Sequence, residues 1–191
     1  MGDVIRSCFS FVVERKLHDQ EMYARVLPLM HSKGLLSTAN ATRGVIAFLE
    51  DLDEIVIDAP MAGKHCSYLV SYMVISGVLD GLNFLSELPE DSMFRDSPQY
   101  TEFVAQFLSN VSEQVNQPSV ELAAPITALK SKLELSPECS GLECAKALYT
   151  ANGLKTVLLE NITKFIAAPK EDSMDVLTRI STKYALGFLP E

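Results

Sequence analysis

Apolar residues return at every third or fourth position along most of this chain, which is the period of an amphipathic helix. Ile5, Phe9, Val12 and Val13 form one stripe, and Met22, Val26, Leu29 and Met30 the next. Ala41, Val45, Phe48, Leu49 and Leu52 make a third, and Ala62, Cys66, Leu69, Val70, Met73 and Val74 a long fourth. A short apolar segment follows at Leu82, Leu85 and Leu88, and then Tyr100, Val104, Phe107, Leu108, Val111 and Val115. The last stripe with this spacing is Leu154, Leu158, Ile162, Phe165 and Ile166, before a closing helix from Asp172 or Ser173 toward Tyr184. Breakers fall between the stripes. Lys33-Gly34, Gly77, Asn116-Gln117-Pro118 and Asn152-Gly153 end helices, while Ser37 or Thr38 and the box Ser140-Gly-Leu-Glu143 start them. Pro28 bends the second stripe, Pro125 interrupts 119–137, and 86–98 reads as a polar, proline-bounded loop.

No segment alternates cleanly enough for a strand. The reading is all-α, with about nine or ten helices of about 10 to 18 residues on short connections. Short connections make neighbours antiparallel, so the expected architecture is one domain, 1–191, of stacked antiparallel helical hairpins. No sharp repeat marks its period.

The 191 residues suffice to bury a core. Acids outnumber Lys and Arg by 25 to 16, a formal charge of −9. That balance argues against a nucleic-acid groove, which needs a basic face. No apolar run approaches the roughly 20 residues of a membrane span, and MGDVIRSCFSFVVERK makes a poor signal peptide. The expected location is cytosolic or nuclear. The four cysteines contain no CxxC pair, and the C-x4-C of Cys139 and Cys144 lacks further ligands, so packing thiols are expected and no metal.

Motifs of catalysis are missing. GxGxxG after a strand, GxxxxGK[ST], HExxH and GxSxG are absent from the sequence. His18 and His31 fall at helix ends. His65 adjoins Cys66, but adjacent helical positions point about 100° apart, so the two make a poor base and nucleophile. A packed thiol beside an exposed imidazole is the plainer reading. No enzyme and no cofactor are expected.

The stretch DEIVIDAP, residues 53–60, raises the sharpest question. It follows Glu50 and Asp51, which read as a solvated helix end. Its apolar residues occupy positions where a calcium loop needs ligands. Asp58, two residues ahead of Pro60, reads as a cap for the helix that follows. That role leaves Glu54 unexplained. Carboxylates at 54 and 58 beside apolar residues suit a contact with an Arg or Lys of another protein.

The span LLSTANATRGVIAFLEDLDEIVIDAPMAGKHCSYLVSYMVISGVLD resembles the core of the MA-three domain, found in translation initiation factor 4G and programmed cell death protein 4. The matching pattern is Leu36-Ser37, an apolar helix ending in acids, E/D-x-x-x-D-x-P at Glu54, Asp58 and Pro60, and an apolar helix closed by Gly77. The terminal Phe188-Leu189-Pro190-Glu191 is similar to the end of the factor 4G version. The resemblance covers about residues 4–85, more weakly 150 to the end, while 90–150 diverges; the family's opening hairpin has no counterpart in the sequence given, which is expected either to lack it or to start after it. It implies a HEAT-like α-solenoid and a scaffold role in the cytoplasm. The partner it implies is the DEAD-box helicase initiation factor 4A. Asp53, Glu54, Asp58 and Pro60 would be the contact residues, with Pro60 fixing the start of the next helix. Support and inhibition of the helicase are both known within the family, and a generic HEAT-like scaffold with another partner is the third possibility.

Overall fold

A computed structural model describes residues 2–15, 17–89, 92–95 and 97–151. They form α1 (Gly2–Val13), α2 (Leu17–Ser32), α3 (Thr38–Glu50), α4 (Leu52–Asp58), α5 (Ala62–Ile75), α6 (Pro98–Asn116), α7 (Ala123–Lys132) and α8 (Gly141–Ala151), with a 3-10 turn at Asn83–Glu87. Among the described residues there is no strand, and the fold is all-α. The helices expected through Leu154 to Ile166 and from Asp172, and the terminal FLPE, lie outside the described residues.

Four stripes bury as their spacing requires. Ile5, Phe9, Val12 and Val13 of α1 meet α3, where the Phe9 and Phe48 rings lie 5.5 Å apart, tilted. The stripes of α3, α5 and α6 are buried at every position named from the sequence. Leu82, Leu85 and Leu88 are buried around the 3-10 turn. Of the stretch 86–98 expected as a loop, residues 88–89, 92–95 and 97 lie outside helices, Ser86 and Glu87 belong to the 3-10 turn and Pro98 to α6; the fully buried Phe94 ring packs against Tyr100 and Phe103 at 5.6 and 6.1 Å. Pro98 opens α6 and Pro125 falls in the first turn of α7, where a missing N–H costs no helical hydrogen bond.

The buried face of α2 differs from the expected one. Met22, Val26 and Leu29 are 52%, 45% and 57% exposed, and the residues facing inward are Gln20, Ala24 and Leu27. Apolarity favoured the first set. Ala24 is fully buried, and α2 packs against α5. Gln20 is half satisfied in its buried position: its Nε2 donates to Arg15 O at 2.8 Å, while its buried Oε1 has no hydrogen-bond partner.

The contact between α5 and α6 is the most extensive between any two described helices. Asn110 Nδ2 donates to Ser67 Oγ at 3.0 Å, and Gln114 Nε2 to Ser71 Oγ at 3.0 Å. Both partners advance by four along the chain, so the two helices run in the same direction. Antiparallel packing is the expectation for helices on short connections. The connection between these two, residues 76–97, is long enough to carry the chain back to α5's starting end. The serines also donate to carbonyls one turn back, Ser67 to Lys64 O and Ser71 to Tyr68 O, both at 2.8 Å. On the far side of α6, α8 approaches so closely that a Cβ at Gly141 would lie 2.0 Å from Ser112 O. The Gly141 N–H donates to Asn116 Oδ1 at 2.8 Å.

Helix ends follow local chemistry. Ser37 caps α3, accepting from Asn40 N. Ser140 and Glu143 form the expected box, with Ser140 N donating to Glu143 Oε2 at 2.7 Å and Glu143 N to Ser140 Oγ at 3.3 Å. Cys139 and Cys144 flank that box at the two positions of a hydrophobic staple. Burial, with the neighbouring Cys139, raises the Cys144 thiol to about 11. Three helices end in one motif. At α2, α5 and α7 a left-handed residue (Gly34, Gly77, Glu134; φ 71°, 75° and 55°) is followed by an N–H that reaches back to Met30 O, Met73 O and Lys130 O, each at 2.9 Å. The first two are glycines, as the position demands, and the third is not. Glu134→Gly is therefore expected to raise stability by about 0.5–1 kcal/mol, read as a higher midpoint in urea with an unchanged slope.

Candidate functional site

The segment DEIVIDAP folds as α4 and the turn after it. Asp51 joins α3 to α4, closing the first through its N–H to Phe48 O at 3.2 Å and accepting from Glu54 N and Ile55 N to begin the second. Its carboxylate is ion-paired with Arg6 of α1, so it is less a bare solvated end than the sequence suggested. Leu52, fully buried, fastens α4 to the core.

The acids of α4 divide. Asp53 turns inward and is half-buried toward Ser97, the residue that precedes α6. Burial pushes its carboxyl above the ordinary range, and a hydrogen bond with the Ser97 hydroxyl offsets part of that. Its buried Oδ1 has no hydrogen-bond partner. Glu54 and Asp58 are exposed, one helical turn apart on a single face, with Ile57 beside them at 77% exposure. Neither carboxylate has an ion-pair or hydrogen-bond partner among the described residues. The structure thus groups Glu54, Ile57 and Asp58, and sets Asp53 apart.

Asp58 does not cap α5. It is the last residue of α4, and the cap position of α5 is Met61, which makes no side-chain cap hydrogen bond. The helical path runs one turn further than the sequence suggested, until Ala59 N closes it on Ile55 O at 2.8 Å. Pro60 follows, exposed in the turn and outside the first turn of α5. With no N–H to donate, it ends α4 more than it begins α5.

Beside this turn lies a cavity of about 260 Å³, lined by Val56, Pro60, Met61, Gly63, Lys64, Gln99, Glu102, Phe103 and Gln106. Sequence reasoning missed it, because α6 supplies half of its wall. A second cavity of about 360 Å³ lies between the end of α5 and α7, with the ion pair of Asp80 and Lys132 on its lining.

His65 is half-buried, against the expected exposure, and its Nδ1 lies 2.6 Å from Val13 O, so that nitrogen carries the proton and donates to α1. Cys66 is completely buried, which pushes its thiol well above the ordinary value. A nucleophile needs more exposure than this. Among the described residues no three His, Cys, Asp or Glu side chains are placed to hold a metal, and no helix is long and apolar enough to cross a membrane. Comparison with known proteins gives no match by family model, by curated sequence or by solved structure.

Two outcomes follow from the division of the acids. Asp58→Ala is expected to change unfolding free energy by less than about 0.5 kcal/mol, since no cap is lost; a urea titration measures it. Asp53 has a raised folded-state value, so the folded protein holds its proton more tightly than the unfolded one, and stability from this group falls as pH rises through that value. Asp53→Asn should then melt higher than the parent at pH ~7, with the difference shrinking as pH is lowered toward ~4.

Proposed function

We propose that this chain is a non-catalytic adaptor of the MA-three type, built of HEAT-like helical hairpins, that binds the DEAD-box helicase initiation factor 4A in translation initiation. The observation that carries the reading is the outward face of α4. Glu54 and Asp58 project unpaired, with exposed Ile57 beside them and exposed Pro60 just beyond. Carboxylates free of internal partners can meet an Arg or Lys at full strength, and a bidentate Arg pair adds direction to charge. Parallel packing of α5 and α6 also suits stacked hairpins, in which equivalent helices of successive hairpins lie parallel. The adaptor acts in the cytoplasm and uses no cofactor.

Calorimetry of the purified chain with initiation factor 4A tests this. The parent chain should bind, and Glu54→Lys with Asp58→Lys should lose about 2–5 kcal/mol of affinity without loss of helicity. A parent chain that fails to bind the helicase would remove the helicase reading. Binding that survives both charge reversals would move the contact elsewhere. An unwinding assay on the bound pair then separates a supporting adaptor from an inhibiting one.

A further inference from the structure

The side of α2 that faces away from the core is apolar. Met22, Val26 and Leu29 stand four and then three residues apart, so they line one stripe, opposite the buried Gln20, Ala24 and Leu27. Two more exposed apolar residues flank it. Phe11 of α1 lies at one edge, its ring 5.9 Å from that of Tyr23. Val120 lies at the other, next to Glu121, which pairs with Arg25 at 3.4 Å. An apolar patch rimmed by charge is the mark of an interaction surface. A stack of helices stays separate in water when its outermost faces are polar, and this outer face is not.

The charges along this helix select what covers the stripe. Asp19 and Glu21 lie near its start, Arg25 in its middle and Lys33 just past its end, two of each sign on a chain whose formal charge is −9. Two copies can therefore meet here without the repulsion that their overall charge imposes. Asp19 and Lys33 have no ion-pair partner among the described residues. Each is seven residues from Val26, the middle of the stripe. Antiparallel pairing about a two-fold axis at Val26 therefore sets Asp19 of each copy against Lys33 of the other. Parallel pairing would set Asp19 against Asp19. Near the axis each Arg25 brings its own Glu121, so neutral pairs meet there. We infer that the outer face of α2 is a self-association surface, on which two copies of this chain pair antiparallel through Met22, Val26 and Leu29. The helicase reading does not enter, since its acids lie on α4.

Sedimentation equilibrium of the full chain at low salt tests this. A seam of one helix is at the small end of interfaces, so the concentration is carried up to about 100 μM. The mass should rise toward twice 21.0 kDa. Val26→Glu places two carboxylates face to face at the axis. Val26 is exposed and glutamate favours a helix more than valine does, so this variant should keep its helicity and stay monomeric. Charge exchange reads the direction of pairing. Asp19→Lys sets lysine against lysine at both ends and should raise the dimer dissociation constant about tenfold. Adding Lys33→Asp restores opposite charges and should return the constant to near that of the parent. Parallel pairing would leave all three constants alike. A monomer at every concentration, a dimer that survives Val26→Glu, or a double exchange no tighter than Asp19→Lys alone would each overturn the proposal.

Discussion

Helix α5 is enclosed on almost every side, and the rest of the structure is arranged to enclose it. From Cys66 to Ile75 all but Tyr68 are buried, and α1, α2, α4, α6 and α7 each touch it. A helix in that position cannot rely on solvent for its polar groups. Ser67 and Ser71 meet this demand twice over, donating to their own helix and accepting from Asn110 and Gln114 of α6. The seam is therefore specified by hydrogen bonds as well as by fit. Sliding α6 by one residue would break both of these hydrogen bonds, at a cost of about 0.5–1.5 kcal/mol for each.

Much of this was legible from spacing. The stripes of α1, α3, α5 and α6 needed only the helical period, and the ends at Gly34, Gly77 and Ser140 needed only cap chemistry. What failed had a physical reason in each case. In α2 the most apolar face stayed outside, and Gln20, Ala24 and Leu27 took the inner positions, because apolar spacing alone did not pick out the face that meets the core. Ser67 and Ser71 read as ordinary polar positions, since their partners lie on a helix that the sequence separates from them by a long loop. Glu134 gave no sign of its left-handed backbone, because nothing in its identity favours one.

The acidic segment shows the same limit. The sequence located the carboxylates and their spacing, but not which way each would face. Three fates befall neighbouring acids: Asp51 is neutralised by Arg6, Asp53 is turned into the contact with α6, and Glu54 and Asp58 are left to solvent. Only the last two keep their charge available. A count of acids in this stretch overstates the negative face that an approaching molecule would meet.

The two rungs of the α5–α6 seam have the same sequence separation, 43 residues from Ser67 to Asn110 and from Ser71 to Gln114. One closure of the intervening chain therefore sets both. The entropy of bringing distant segments together is lost with the first rung, and the second adds almost nothing to it. Contacts this far apart in sequence form slowly compared with the turns of a helix. The two rungs are thus one long-range contact rather than two, with Phe94 packed on Tyr100 and Phe103 at the α6 end of the connection.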